Sequence, residues 1–285
     1  MEAEVIGAVL ENPEISTREI AATRGVNGSR NQRILKKFKF KPYKVRLTHQ
    51  LFSGDQERRN APGWNFCNWF IRKCNENENF FRNVIWTDEA RVTSSGIFNR
   101  HNLQHWSDHN EHVFQPRNMQ GRFGFNIWIG VVGPRMIGPF IYDGNLNAQR
   151  YINILARFVE PYLEDLPLAE MIRKLYQQDG APAHNAAVTT NKLNQMFGDQ
   201  WMGTRGPVPW PARSPDLSPL DFFIWGFVKD QIFKTIPESR EELEERVRNA
   251  IARITHLQLL NAEKSVKKRC QHCLDQNGGQ FEHYL

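Results

Sequence analysis

The sequence predicts an α/β protein, a mixed sheet flanked by helices, preceded by a small all-α N-terminal domain. Three observations carry this. Apolar runs of strand length (NVIWTDEARV, GFNIWIGVVG, MIGPFIYDG, KLYQQDG) alternate with helical periodicity from about Trp64 onward. Three short helical patterns fill the segment before them, and positive charge is concentrated there. A chain of 285 residues, 40% hydrophobic and 24% charged, has room for one large core and one small one. No window approaches eighteen consecutive apolar residues, and the start, MEAEVIGAVLENPE, lacks a basic n-region and an apolar h-region, so neither a membrane span nor secretion is expected.

In chain order, Val5, Ile6, Val9 and Leu10 share one helical face, and Asn12-Pro13 ends that helix. Ser16 and Glu19 form an S-x-x-E capping box for a second helix carrying Ile20 and Ala21, which Gly25 breaks. A third helix, from about Ser29 to Phe38, buries Ile34 and Leu35 and exposes Arg30, Asn31, Arg33, Lys36 and Lys37. A tight turn before a basic last helix predicts a helix-turn-helix DNA-binding domain over residues 1–42, with that helix in a major groove. Its cations would contact phosphates, and Asn31 and Arg33 would reach base edges.

The net charge is +6, but ten basic residues between Arg18 and Arg46 face only Glu19, which leaves the rest of the chain slightly acidic. Such a cationic module suits a polyanion, double-stranded DNA first among them. Residues 43–63, Pro- and Gly-punctuated and without periodicity, read as a basic linker, and with Lys39 and Lys41 just before it they would track the DNA backbone.

Residues 64–285 read as the catalytic domain. A helix (NFCNWFIRKC) precedes the first strand. A helical segment over 148–164 carries Tyr151, Ile154, Leu155, Phe158 and Leu163, helices recur after residue 186 and after Pro219, and a charged helix runs from Glu238 to about His256. The four cysteines, Cys67, Cys74, Cys270 and Cys273, are too few for a disulfide framework, and Cys270-x-x-Cys273 lacks the second well-spaced pair of a zinc site. His101, His105, His109 and His112 have helical spacing, but polar residues intervene and no metal site is expected there.

Asp88 follows the apolar run Val84-Ile85-Trp86, Asp179 ends a second run and opens a turn at Gly180, and Asp221 lies in RSPDLSPLDFFIWG. Carboxylates at the ends of neighbouring strands and in the first turn of a packed helix can converge. Three ionised carboxylates a few ångströms apart repel by about 4 kcal/mol per pair at 4 Å in an effective dielectric near 20. Two Mg²⁺ or Mn²⁺ ions, which oxygen ligands select, remove that repulsion and support in-line displacement at phosphorus. Each acid also has a plain structural reading. Asp88 and Asp179 suit turns, Ser218-Pro-Leu-Asp221 is itself a capping pattern, and Asp216 competes with Asp221 as third ligand.

The stretches VIWTDEARV, FNRHNLQHWSDHNEH, YQQDGAPAHNA and WPARSPDLSPLDFFIWGFVKD resemble, in order, the catalytic blocks of the Tc1/mariner superfamily of DDE/D transposases, of the insect mariner-like D-D-D kind. Forty-one residues separate the second and third acids. The resemblance implies an RNase H-like fold with Asp88, Asp179 and Asp221 as catalytic metal ligands, Asp216 as structural, and His184 in a supporting role near the scissile phosphate. It further implies Mg²⁺-dependent cleavage at terminal inverted repeats, joining of 3′-hydroxyl ends to target DNA, a homodimer and a nuclear location. Family members carry two helix-turn-helix units where this chain begins at one, so an upstream segment or a shortened copy is expected. A catalytically silent or host-recruited DNA-binding protein, and an RNase H-like nuclease without transposition, are the rival readings.

Overall fold

The computed structural model describes residues 2–13, 15–25, 27–41, 49–60, 66–94 and 123–285. The four-histidine segment lies outside them, as does most of the basic stretch around Lys44. The chain divides into two compact units, Met1–Leu47 and Thr48–Leu285.

In the first unit, helices α1 (Glu2–Glu11), α2 (Thr17–Arg24) and α3 (Gly28–Lys37) close around Val5, Ala8, Ile20 and Ile34. The Ser16 hydroxyl accepts the Glu19 N–H at 3.1 Å, as the capping pattern predicts. Gly25, at φ +65°, ends α2, and Asn27 caps α3 through the Ser29 N–H. Arg30, Arg33, Lys36, Lys37, Lys39 and Lys41 are exposed, with Lys37 paired to Glu2 at 2.9 Å.

Asn31 corrects the sequence reading. It is fully buried and donates its amide N–H to the Thr17 carbonyl at 3.1 Å, so it ties α3 to the start of α2 instead of facing a base edge. The reason is helical spacing: position 31 shares a face with the core residue Ile34, three residues on.

The second unit opens with α4 (Asp55–Asn60) and α5 (Phe66–Glu76), followed by β1 (Val84–Thr93), β2 (Gly124–Val132) and β3 (Arg135–Tyr142). Next comes α6 (Ala148–Ile154), which continues through a π-helical turn (Leu155–Val159) into α7 (Glu160–Glu164). α8 (Leu168–Met171), β4 (Leu175–Gln177), α9 (Ala187–Phe197), β5 (Trp201–Gly203) and β6 (Val208–Pro209) follow. After a second π-helical turn (Leu220–Ile224) the chain ends in α10 (Trp225–Ile232), α11 (Arg240–Ala252) and α12 (His256–Asp275). The helix expected over 238–256 thus stops early, because Thr255 and Gln258 form a capping box that starts α12.

The six strands run in the order β3-β2-β1-β4-β5-β6. The β1, β2 and β3 strands are antiparallel neighbours, and β4, β5 and β6 continue in parallel with β1. Strand alternation sends Val84 and Trp86 into a core with α5, α10, α11 and α12, and Ile85 into a second core with α6 and α9. All four cysteines are buried free thiols in the second unit; Cys67 and Cys74 of α5 meet Cys270 and Cys273 of α12 in the first of these cores.

The expected linker is in part a docked helix. Asp55 and Arg59 of α4 are buried, and Arg59 Nη2 lies 2.5 Å from Asp216 Oδ2. Arg59 also sits over the Phe281 ring at 5.9 Å. At Gly278, where φ is +81°, a Cβ would stand 2.2 Å from the Gln56 carbonyl oxygen, so α4 lies directly on the C-terminal turn. Burial of its polar side chains against residues far along the chain, which periodicity cannot show, turns this stretch into structure.

Candidate active site

The register of the central strands sets the first two acids level. In the parallel pair β1 and β4, Trp86 is opposite Gln177, and Asp88 and Asp179 each lie two residues further on. Thr87 locks the register by donating its hydroxyl to the Gln177 carbonyl at 2.7 Å and its N–H to the Gln177 side chain at 3.2 Å. Beyond Gln177 the chain leaves the sheet, and Asp179 Oδ1 accepts the Ala181 N–H at 2.9 Å in a tight turn. A cleft at the carboxyl end of parallel strands is the usual ligand position in such sheets.

The third acid arrives from the π-helical turn. No side chain caps its start. Asp88, Asp179 and Asp221 all line one cleft of about 400 Å³, with Trp210, Arg213 and Ser214 among its walls. Asp216 is 1% exposed, is absent from that lining, and is held by Arg59, with Arg269 donating to its backbone carbonyl at 2.9 Å.

The electrostatics of the cleft are those of acids crowded together. Burial pushes the Asp88 carboxyl well above its ordinary range, and the charges of Asp221 and Glu89 push it further; the Trp225 indole N–H, donated to Oδ2 at 2.7 Å, works against this. Loss of solvent, with the charge of Asp179, raises Asp221 to about 6. Asp179 is lowered: its burial is outweighed by the hydrogen bond and charge of His184. Oxygen-only donors that disfavour one another's ionisation fit a divalent cation of the Mg²⁺ or Mn²⁺ type.

His184 does not line the cleft. It is 2% exposed on the other side of Asp179, with Nδ1 at 2.6 Å from Asp179 Oδ1 and Nε2 at 3.3 Å from Glu89 Oε1. Burial drives its pKa down, but the Glu89 charge and the two carboxylate partners prevail and raise it to about 10. Among the described residues, Glu89, Asp179 and His184 have potential ligand atoms within 4.8 Å of one another, while the three cleft aspartates do not form so tight a group.

Several solved structures match this chain almost from end to end. A pre-cleavage Mos1 transpososome matches 99% of this chain and 80% of that one at a TM-score of 0.77 and 17% identity. The mariner Mos1 paired end complex with Mg matches the same shares at 0.76 and 19%. The fold is that of the mariner transposases. The catalytic domain of Mos1 mariner transposase alone matches over 83% of this chain and its own whole length, at 0.60 and 18%. No protein-family model and no curated protein matches the sequence.

The RNase H-like expectation is therefore met within a mariner fold, by a six-stranded mixed sheet flanked by helices. Sequence reasoning missed three residues of this site. Trp225 and Arg213 lay inside the quoted mariner-like block and carried no charge pattern to mark them. Arg213 adopts φ +52° at the cleft wall and forms a two-pronged ion pair with Asp55 of α4, over the Phe52 ring at 4.7 Å. Glu89, beside Asp88, was legible as the opposite face of a strand, but its histidine partner is 95 positions away.

Proposed function

We propose that this chain is a Tc1/mariner-type DNA transposase that cuts at terminal inverted repeats and joins the 3′-hydroxyl ends to target DNA. The observation that carries the reading is the meeting of Asp88, from within β1, Asp179, just past the end of β4, and Asp221, from a helical turn, in one cleft of a mariner fold. The neighbouring Mos1 structures include paired-end, pre-cleavage and strand-transfer complexes and a Mg form, which supports DNA as substrate and a divalent ion as cofactor.

In this reading the three aspartates hold two Mg²⁺ or Mn²⁺ ions. When bound, such ions lower the pKa of an attacking water or 3′-hydroxyl and stabilise the leaving oxygen. The chain's own contribution is placement. The β1–β4 register fixes two carboxylates, the Trp225 indole orients Asp88, and the Trp210-to-Ser214 wall narrows the approach. The first unit supplies DNA binding as a helix-turn-helix domain, with Arg30, Arg33, Lys36, Lys37, Lys39 and Lys41 on phosphates. The domain division is 1–42 for DNA binding and 64–285 for catalysis, with α4 of the intervening stretch assigned to the catalytic body. A homodimer working in the nucleus completes the proposal.

The test is nicking of DNA bearing the element's own terminal repeat, in Mg²⁺. Asp221→Asn is expected to abolish nicking by a folded protein that still binds that DNA. Loss of nicking in a folded Asp216→Asn variant, with Asp221→Asn active, would reverse the assignment of the third acid.

A further inference from the structure

Both protein hydrogen bonds to Asp179, from the Ala181 N–H and from His184 Nδ1, fall on Oδ1. Among the described residues Oδ2 has no protein partner. The imidazole that holds Oδ1 is itself fixed from three sides. Its other nitrogen meets Glu89 Oε1 at 3.3 Å, its ring lies 4.2 Å from that of Tyr151, and it is 2% exposed. Tyr151 is anchored in turn by a 2.8 Å contact between its hydroxyl and that of Tyr176. Glu89 is next to Asp88 on β1, so strand alternation puts one acid in the cleft and the other behind it.

We propose that Glu89 and His184 are positioning residues for Asp179: Glu89 fixes the imidazole, the imidazole fixes Oδ1, and Oδ2 is thereby presented to a divalent cation in the cleft. Both ring nitrogens face carboxyl oxygens, which hold the ring between them. A joint site in which His184 Nδ1 and Asp179 Oδ1 both ligate one ion fails on distance. Ligand atoms around a tetrahedral ion at ~2.1 Å lie roughly 3.4 Å apart, whereas Nδ1 and Oδ1 are 2.6 Å apart, a hydrogen bond. An outer partner of this kind governs how well a ligand is oriented, and its loss typically weakens metal binding about 10- to 100-fold.

The inference rests on the metal-dependent reading of the cleft, and the test separates the two. Binding of Mn²⁺ alone to the full chain is measured by the loss of its free electron paramagnetic resonance signal, with a thermal melt to verify folding. Glu89→Ala and His184→Ala are expected to bind about 10- to 100-fold more weakly. Glu89→Gln, whose amide oxygen still accepts from Nε2, is expected to stay within about threefold of the parent. If Asp179→Asn binds Mn²⁺ as the parent does, the reading of the cleft fails. If Asp179→Asn weakens binding while folded Glu89→Ala and His184→Ala do not, the positioning role fails alone. Equal loss in Glu89→Gln and Glu89→Ala overturns it as well, since the charge and not the hydrogen bond would then matter. Should His184→Ala not fold, the pair of Glu89 variants decides.

Discussion

Asp216 and Asp221 stand five residues apart in one Pro-rich segment, and their neighbours give them opposite parts. A guanidinium holds one oxygen of the first behind the cleft, while the second meets like charge and the open cleft. The motif order had already favoured Asp221, although spacing alone left the two equivalent. His184 makes the residue scale testable by pH. In the metal-free protein its folded pKa, about 10, lies above its ordinary 6.5, so folding favours the protonated ring. That contribution is fully present below pH 6.5 and is lost as pH rises through about 10. Melting temperatures of the metal-free chain are expected to fall across this window, and His184→Gln is expected to flatten that part of the profile. An unchanged slope in the variant would show that other groups set it.

At the scale of elements, α4 is where the sequence was least legible. Its residues, DQERRN, have no apolar periodicity, and the partners that bury Asp55 and Arg59 come 158 and 157 positions later. By contrast, β1 to β4 and the long helices were legible because each carries an apolar pattern of its own period. Gln177, which locks β1 to β4, and Trp225, which bonds to Asp88, became meaningful only once the strands were paired. The Arg59–Asp216 pair should behave as a buried ion pair. Removing one partner, in Asp216→Leu or Arg59→Met, is expected to cost about 3–5 kcal/mol, and the double replacement should recover most of that loss. Urea unfolding of the three variants checks this. If the double variant is as unstable as the sum of the singles, the pair is not acting as a coupled unit.

Across the whole molecule, charge and fold divide the labour, and this division was visible in the sequence because the basic residues cluster before the strands begin. Asp88 lies on, and Asp179 just past, strands of a sheet whose order could not be read from periodicity, since strand pairing between distant segments leaves no local mark; the family resemblance supplied the RNase H-like expectation. DNA affinity measured against salt tests the first unit. Each neutralised phosphate contributes a slope of about −0.9 in log affinity against log salt, so replacing Arg33 and Lys36 by Ala should reduce the slope by about 2. No change would place the DNA contacts elsewhere. The docking of α4 also has a mechanical consequence. Of the two ion pairs it makes outside itself, one grips Arg213 on the cleft wall and the other Asp216 just behind it. A pull on the chain from before residue 49 reaches His49 first, whose carbonyl accepts from Gln280, and then α4, as paired cable clamps bear a tug before it reaches the terminals. Of the cleft, the wall that holds Arg213 is the part tied to that clamp.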